Sequence, residues 1–429
     1  KNRFIVAPNV EEPHLQNQLG RGMNLVGYYM FHGGTQTPGL KEPGYPESYD
    51  FQAPVGEFGW IRPSYNYLKI LHHFINDFGG LLVPMQQVEA GNPVRDVTNT
   101  KDLRYIVRTK DNSGFLFLNN TQVRIPMPDK NVAVSVKLKN EIISFPAISL
   151  KGQTNLVLPF NFKINDVLIK YASAQLMAKI EDRNTTMLFF IKPDNVDPVI
   201  AFDPASLVAA SPGIISPVKL APGSGLSVIS KTGKHVTIVT LTRKEAEQSW
   251  RTSINGKEVL IVTNANVLNN GKKLQLRQIG SNIFKLRIYP GDAAGLESVK
   301  VTGGVKGMFR DYVASVPAYR LTIPFTFNAG KATINLPVSL PGYISDVFFK
   351  VSYRGSAATV SKDGEVLTDH LFNGIPWMLG IKNYLNTSMV QIDVKKWKDG
   401  ITGVDSALMQ RVQSGSPAIE KIEKLPEYK

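Results

Sequence analysis

Residues 20–59 decide which fold the sequence predicts for the N-terminal part of this chain; they are GRGMNLVGYYMFHGGTQTPGLKEPGYPESYDFQAPVGEFG. They open with an apolar run, residues 23–31, which is followed by Gly33-Gly34. A run of this length with glycine flanks predicts a strand buried on both faces, as in a parallel sheet covered by helices. Asn24 and His32 lie near its ends, where parallel-sheet proteins present polar side chains to ligands.

Helical signals lie on both sides of this run. Residues 9–20 indicate a short helix with Asn9 as N-cap and Gly20 as its C-terminal stop. Pro63 suits the first position of a second helix, whose apolar residues recur at helical spacing up to Gly79-Gly80. A single buried strand has no neighbour to pair with. We therefore expect the N-terminal part to close a larger unit whose beginning is absent.

The same residues carry a family resemblance. The motifs YYMFHGGT (residues 28–35) and SYDFQAPVGEFG (residues 48–59), with the helix ending near LHHFINDFG, resemble the last β/α unit of a glycoside hydrolase family 35 barrel. Members of this β-galactosidase family read roughly YMFHGGTN, SYDYDAP and EYG at these places. The resemblance implies that residues 1–84 supply the last strand and helix of a (β/α)8 TIM barrel.

From about Gln86 the pattern changes to short strands. Six segments between residues 102 and 193 alternate or run apolar, with Asp, Asn, Gly and Pro between them. Regular short strands of this kind predict a β-sandwich or an open barrel. The segments SGFLFLNN, RIPMP, LPFNF and YASAQ also resemble the β-domain that follows the barrel in bacterial members of the family.

The expected fold is therefore multidomain and mainly β, with the last β/α unit of a TIM barrel followed by β-sandwich and jelly-roll-like domains. Residues 203–222 are rich in Pro, Ala and Ser and indicate a linker. Thr242 should cap a helix, and Asp363-Gly364 should form the turn before DHLFNGIPW (residues 369–377), which again resembles the family. Whether residues 203–429 form one domain or two stays open. The predicted division is 1–84 barrel end, 85–202 β-sandwich, 203–340 second β-rich domain and 341–429 jelly-roll-like module with a polar C-terminal tail.

Composition excludes several classes of function. The formal charge of +14 could attract an anionic partner, but the lysines sit singly along predicted strands, as at Lys137 and Lys139, where they keep sheet edges soluble. We therefore expect no nucleic-acid partner. No apolar run of membrane-spanning length occurs. The absence of cysteine excludes disulfides and thiol chemistry, and no metal-binding or cofactor motif is present, so no cofactor is predicted. His72 and His73 are adjacent and cannot clamp one metal.

The catalytic residues are expected outside this chain. Retaining glycosidases use two carboxyl groups roughly 5–5.5 Å apart. The resemblance implies that the acid/base glutamate lies well upstream of Lys1 and the nucleophile on the strand just before the helix at Asn9. Residues 1–8 contain no glutamate. No catalytic residue is thus assigned here, and the chain alone is expected to be inactive.

The resemblance also implies a set of substrate-binding residues. Tyr29 would lie beside the nucleophile and the sugar, and His32 and Thr35 would line the pocket. Phe51 stands where the family has a tyrosine that contacts the galactose ring. Its aromatic face remains, but one hydroxyl partner is lost, which weakens the prediction of β-galactose specificity.

The loop after residue 35 carries four acids, Glu42, Glu47, Asp50 and Glu57. Asp50 and Glu57 belong to the second motif, and we expect them to shape the loop by bonding backbone amides and arginines. Trp377 is interpreted as a buried aromatic residue, with stacking on a sugar as the alternative.

These observations favour the C-terminal part of a β-galactosidase-like exo-glycosidase acting on terminal β-linked sugars. Its expected partners are a carbohydrate and either the missing N-terminal barrel portion or a second copy of the chain. By the resemblance, the location would be extracellular or periplasmic in a bacterium. The alternatives are a non-catalytic carbohydrate-binding or scaffold protein and a purely structural β-module protein.

Overall fold

The structure, a computed structural model, describes most of the chain. Glu42 lies outside the described residues, as do residues 209–216 and 221–222 of the predicted linker. Strands far outnumber helices in the described part, so the mainly β class is confirmed. The described residues are 5–37, 45–194, 197–208, 217–220, 225–269, 274–291, 300–306, 308–320, 322–397, 406–413 and 415–429.

The helical elements of these residues are α1 Glu11–Gly20, α2 Pro63–Leu82, α3 Arg243–Glu247 and α4 Ser406–Gln413, with 3₁₀ turns at Pro204–Ser206 and Lys382–Tyr384. The strands in the first half are β1 Gln86–Glu89, β2 Arg104–Lys110, β3 Ser113–Asn120, β4 Lys130–Val132, β5 Ser135–Lys137, β6 Ile142–Ser144, β7 Ile148–Leu150, β8 Thr154–Ile164, β9 Val167–Ala172, β10 Gln175–Asp182, β11 Thr185–Ile191, β12 Val199–Phe202 and β13 Val218–Lys219. The strands in the second half are β14 Gly225–Ile229, β15 His235–Leu241, β16 Ser249–Ile254, β17 Lys257–Thr263, β18 Asn266–Asn269, β19 Leu274–Ile279, β20 Ile283–Tyr289, β21 Lys300–Lys306, β22 Phe309–Ser315, β23 Phe325–Asn328, β24 Lys331–Asn335, β25 Ile344–Arg354, β26 Ala357–Lys362, β27 Glu365–Leu371, β28 Trp377–Gly380, β29 Met389–Lys395 and β30 Ala418–Tyr428.

Two sheets and two helices share the core of the first half. The described strands form a seven-stranded sheet in the order β1-β2-β3-β8-β9-β12-β13 and a four-stranded sheet in the order β10-β11-β15-β14. In the smaller sheet β11 and β15 are parallel, and all its other pairs are antiparallel. Phe74 and Phe78 of α2 pack edge to face on Phe115 and Phe162, with ring centroids 5.4 and 5.7 Å apart. The core therefore fixes α2 on the seven-stranded sheet.

Helix boundaries follow local signals with two exceptions. Helix α2 begins at Pro63 as predicted, but it continues through Gly79-Gly80 to Leu82. Helix α1 ends at Gly20, whereas its N-cap is Val10 and not Asn9. Buried Arg108 on β2 donates to the carbonyls of Leu19, at 2.7 Å, and of Leu82 and Met85. One guanidinium thus satisfies carbonyls at the ends of both helices.

In the chain alone, residues 23–31 do not form the predicted buried strand. These residues form no strand, and the side chains of Leu25 and Tyr29 are 85% and 95% exposed. Within the described part of the chain no strand runs beside them, and a strand needs a neighbour for its backbone hydrogen bonds. Tyr28 and Phe31 instead pack on α2, where the Tyr28 hydroxyl lies 2.7 Å from His72 Nε2. Of the predicted strand-and-helix unit, the structure shows the helix.

Three five-stranded sheets form the second half of the described chain, in the orders β16-β17-β20-β22-β21, β18-β19-β30-β25-β28 and β23-β24-β29-β26-β27. We call the last of these the C-terminal sheet. The second joins strands from both sides of residue 340, and one core extends from Ile254 to Tyr428. The division of the chain into four domains stays a prediction.

The predicted polar C-terminal tail is wrong as well. Residues 418–428 form β30, which lies between β19 and β25 in the sheet. The charged residues of AIEKIEKLPEY are interspersed with apolar ones, so that Ile419 and Tyr428 are buried while Lys421 is exposed. Residues 418–428 therefore have a polar composition, although part of the segment lies in the core.

A helix cap, a hairpin turn and a buried tryptophan are as predicted. Thr242 caps α3 in a reciprocal capping box with Glu245, whose backbone N–H lies 3.2 Å from Thr242 Oγ1. Asp363 and Gly364 have φ angles of 49° and 87° and join β26 to β27, as a two-residue hairpin turn requires. Trp377 is 4% exposed, which confirms its interpretation as a core residue.

Candidate functional site

The loop at residues 48–59, which we call the SYDF loop, pairs with the segment at residues 32–35. His32 bridges Val55 in parallel, and Thr35 bridges Ser48 in antiparallel orientation. A Cβ on Gly33 would lie 2.6 Å from Asp50 Oδ1, so only glycine allows this approach. The two sequence motifs are therefore one structural unit.

Asp50 and Arg62 close the loop on itself. Asp50 forms an ion pair with Arg62 and accepts the backbone N–H of Glu57 at 2.9 Å. Arg62 also donates to the Ala53 carbonyl at 2.7 Å and lies 4.5 Å from the Trp60 ring centroid. Both ends of the loop are thus held by one partly buried carboxylate.

Phe51 lies at the tip of this closed loop in an unusual backbone conformation. Phe51 and Gln52 have φ angles of 46° and 58°, in the left-handed region that residues with a side chain rarely adopt. Gln52 Oε1 accepts the Val6 backbone N–H at 3.1 Å, while the Phe51 side chain is 70% exposed. The backbone thus presents the Phe51 ring to solvent.

Glu57 connects the loop to the C-terminal sheet. Its Oε1 accepts the hydroxyls of Thr35, at 2.6 Å, and of Thr368 on β27. Burial raises the pKa of Glu57 to about 7; the two hydroxyl hydrogen bonds oppose this rise, and the nearby carboxylates of Asp50 and Asp369 add to it. The carboxyl group is therefore largely protonated below neutral pH.

Two further contacts join the same surfaces. The backbone N–H and the hydroxyl of Ser48 both donate to Asp369 Oδ1, at 2.8 and 2.9 Å. The Phe58 ring packs edge to face on Tyr384, with centroids 6.2 Å apart. Thr368, Asp369 and Tyr384 were not singled out by sequence. Asp369 opens the DHLFNGIPW motif, but no local pattern reveals a contact between residues 321 positions apart.

The predicted site residues fall into two groups. Thr35, Asp50 and Glu57 are joined by the hydrogen bonds of the loop. Tyr29 and Phe51 are exposed, and among the described residues they make no hydrogen bond or ring contact. His32 is exposed too, and its Nδ1 faces the Gly33 carbonyl. The roles assigned to these residues in binding stay predictions.

The two adjacent histidines lie in different surroundings. His72 contacts the Tyr28 hydroxyl, whereas His73 is buried and burial lowers its pKa to about 3. Within the described residues, no group of three or more His, Asp or Glu side chains is arranged to hold a metal ion. In that same part of the chain, every helix is too short or too polar to cross a bilayer.

Known proteins resemble this chain in the region that contains the SYDF loop. Residues 6–75 match the family model of glycosyl hydrolases family 35, a range that includes α1, the SYDF loop and most of α2. The chain is 22% identical over 206 residues to a probable β-galactosidase C of Aspergillus niger, covering 43% of this chain and 20% of that protein. It is 21% identical over 359 residues to a probable β-galactosidase B of Emericella nidulans, covering 76% of this chain and 34% of that protein.

The chain thus spans between a fifth and about a third of the length of these curated relatives. Both relatives are fungal, and the comparisons do not support the expected bacterial origin or periplasmic location. The family match includes both sequence motifs, residues 28–35 and 48–59, and similarity to β-galactosidases continues through the β-rich part. These similarities support a relationship of the chain to glycoside hydrolase family 35.

Proposed function

We propose that the chain is the C-terminal part of a β-galactosidase-like retaining exo-glycoside hydrolase that acts on terminal β-linked sugars of oligo- or polysaccharides. In this proposal the catalytic glutamates lie upstream of the chain, and the chain alone is inactive. The family match at residues 6–75 and the relatives named probable β-galactosidases support it. The proposed location is extracellular.

The observation that carries the proposal is the uncovered segment at residues 23–31. An apolar stretch whose Leu25 and Tyr29 are 85% and 95% exposed is a surface that another part of a protein normally covers. In the proposed whole protein, residues 23–31 become the last strand of a (β/α)8 barrel, because neighbouring strands then supply its backbone partners. The β-rich part packs against the outside of that barrel.

The site residues take the following roles in this proposal. Tyr29 donates a charge-assisted hydrogen bond to the nucleophile carboxylate, and the Phe51 ring packs on the C–H face of the sugar. His32 and Thr35 line the pocket. Glu57 is not the acid/base, because Thr35 and Thr368 occupy its carboxyl oxygen and bind it to the C-terminal sheet. Asp50 and Glu57 instead shape the loop.

The experiment compares two polypeptides, the chain alone and the chain joined to the product of its upstream coding sequence. Nitrophenyl β-galactoside hydrolysis should be absent in the first and present in the second. A Tyr29→Phe variant of the joined protein should lose activity but keep its fold. Turnover by the chain alone, or an upstream sequence without the glutamate pair, would contradict the proposal.

A second candidate is a non-catalytic carbohydrate-binding protein, which the exposure of Tyr29 and Phe51 favours, since exposed aromatic faces bind sugar rings. Retention of the chain alone on immobilised galactose, reversed by Tyr29→Ala and Phe51→Ala, would support this candidate. In the first proposal the partner of the chain is the N-terminal barrel portion. The alternative partner is a second copy of the same chain. Sedimentation of the chain with and without that portion distinguishes the two.

A further inference from the structure

We propose that Thr368 and Asp369 of β27 are positioning residues of the sugar site, which together with Glu57 hold the SYDF loop in the conformation that presents Phe51. The assignment of the loop to a sugar site rests on the proposed function. The attachment of the loop to the C-terminal sheet, and its dependence on a proton at Glu57, do not.

The contacts lie on both sides of Phe51 in the chain. Ser48 precedes it by three residues and donates twice to Asp369, through its backbone N–H and its hydroxyl. Glu57 follows it by six residues and accepts the Thr368 hydroxyl. Thr368 and Asp369 are neighbours on one strand, so a single edge of the C-terminal sheet holds both arms of the loop.

The loop needs such an external attachment because its tip is strained. A residue with a side chain costs on the order of 1 kcal/mol in the left-handed region, and Phe51 and Gln52 both adopt it. Such a conformation persists only where surrounding contacts determine it. Asp50 and Arg62 close the loop internally, but the two contacts with β27 fix it relative to the rest of the protein.

The carboxyl groups of Asp50, Glu57 and Asp369 lie close together where the loop contacts β27, and each has different hydrogen-bond or ion-pair partners. Asp50 faces the Arg62 guanidinium, and Asp369 accepts two hydrogen bonds from Ser48. Glu57 has only the two threonine hydroxyls, and among the described residues it forms no ion pair with Lys or Arg. An ionised Glu57 would therefore add an uncompensated negative charge beside two others, close to the phenol of Tyr384.

The direction of the pH effect follows from the two states of Glu57. In the attached loop its pKa is about 7, whereas a solvated glutamate has the ordinary value of 4.5. The attached state is thus favoured most below about pH 4.5, and the preference is lost as the pH rises to about 7. The difference of about 2.5 units between these two pKa values means that the equilibrium constant for loop attachment can change by at most about 300-fold with pH.

Amide hydrogen exchange of the whole chain tests the attachment directly. Protection of peptides covering residues 45–60, corrected for intrinsic exchange, should fall at least about tenfold between pH 5 and pH 8. Glu57→Gln should keep the pH 5 protection and remove its pH dependence, because the amide carries no titrating proton. Peptides from β26 and β29 serve as the reference for a folded C-terminal sheet.

Variants of the sheet test the positioning residues. Thr368→Val and Asp369→Ala should each lower protection of the loop at pH 5 about five- to tenfold, because each removes a partner of the loop, and Thr368→Ser should restore it. Glu365→Gln, at an exposed position of the same strand, is the matched control and should change nothing. Unchanged loop protection in both variants, or pH dependence that persists in Glu57→Gln, would overturn the proposal.

The two proposals fail separately. In the joined protein, Thr368→Val should raise the KM for nitrophenyl galactoside more than it lowers kcat, with Thr368→Ser close to wild type. If the joined protein has no activity while the exchange results are as expected, the proposed function fails and the attachment stands. If it is active and Thr368→Val changes neither protection nor KM, the positioning role fails alone.

Discussion

Arg243 at the start of α3 forms a two-point ion pair with Glu12 of α1, across 231 positions of the chain. The Glu12 side chain is 5% exposed, and this guanidinium is its cationic partner. Arg243 also bonds Glu247 at 3.0 Å within α3. The pair connects the N-terminal helix to the helix that follows β15.

Removing Arg243 should therefore destabilise the protein more than removing a surface arginine. Arg243→Met leaves the Glu12 carboxylate buried without its cation, and we expect the free energy of unfolding to fall by on the order of 3 kcal/mol. Arg21→Met is the control, because its pair with Glu89 is exposed and should contribute less than about 1 kcal/mol. Urea unfolding measures both, and equal effects would contradict the prediction.

Asp346 should make stability fall as the pH rises through the weakly acidic range. Burial raises its pKa to about 6, although its Oδ1 accepts the backbone N–H groups of Val347, Ile381 and Lys382. Because the folded pKa lies above the ordinary value of 3.8, the stabilisation is complete below pH 3.8 and is lost by about pH 6.

The Asp346→Asn variant isolates this effect, since an amide oxygen can accept the same bonds without titrating. The difference in unfolding free energy between the variant and the wild type should change by on the order of 3 kcal/mol between pH 4 and pH 7. Asp363→Asn, at the exposed hairpin turn, is the matched control for an Asp-to-Asn change. A pH-independent difference for Asp346→Asn would show that this carboxyl does not titrate as inferred.

His73 should have the opposite effect at low pH. Its pKa is lowered from 6.5 to about 3, chiefly by burial and also by the charges of Lys69 and Arg251. Since the folded state resists protonation, the stabilisation is complete above pH 6.5 and is lost as the pH falls towards 3, by at most about 1.4 kcal/mol per pH unit. His73→Asn keeps a donor for the Ser249 backbone and should reduce this acid slope. Urea titrations at pH 4, 5 and 7 test this, and an unaltered slope would refute it.

Phe51→Tyr should restore the hydroxyl that the family motif carries at this position. In the protein joined to its upstream part, we expect kcat/KM for nitrophenyl β-galactoside to rise about tenfold, which corresponds to one hydrogen bond of about 1.4 kcal/mol. Phe51→Leu is the control that removes the aromatic face and should lower kcat/KM. If the tyrosine variant loses activity, Phe51 does not occupy the position of the family's galactose-contacting tyrosine.

The sequence predicted those elements that depend on neighbouring residues. The N-terminus of α2 follows from Pro63, the cap of α3 from Thr242, and the turn between β26 and β27 from Asp363-Gly364. Each signal acts within about one turn of chain, so it holds whatever the tertiary structure. The motifs at residues 28–35 and 48–59 are also evident in the sequence, although their pairing is not.

The N-cap at Asn9 and the helix end at Gly79-Gly80 were local predictions that failed, whereas the following failures depend on distant residues. The apolar run at residues 23–31 has the composition of a strand, but the structure gives it no neighbour among the described strands. Strand β30 has a charged composition, yet pairing with β25 brings it into the core. The contact of Glu57 with Thr368 spans 311 positions and has no local pattern.

The central place of β30 also bears on biosynthesis. Its neighbours β19 and β25 leave the ribosome at least 64 residues earlier, so their edges stay open while the intervening polypeptide is made. Non-local pairing of this kind slows folding, and open edges attract other strands. A premature stop codon before residue 418 would therefore yield a product prone to aggregation, even though every residue of the SYDF loop would be present.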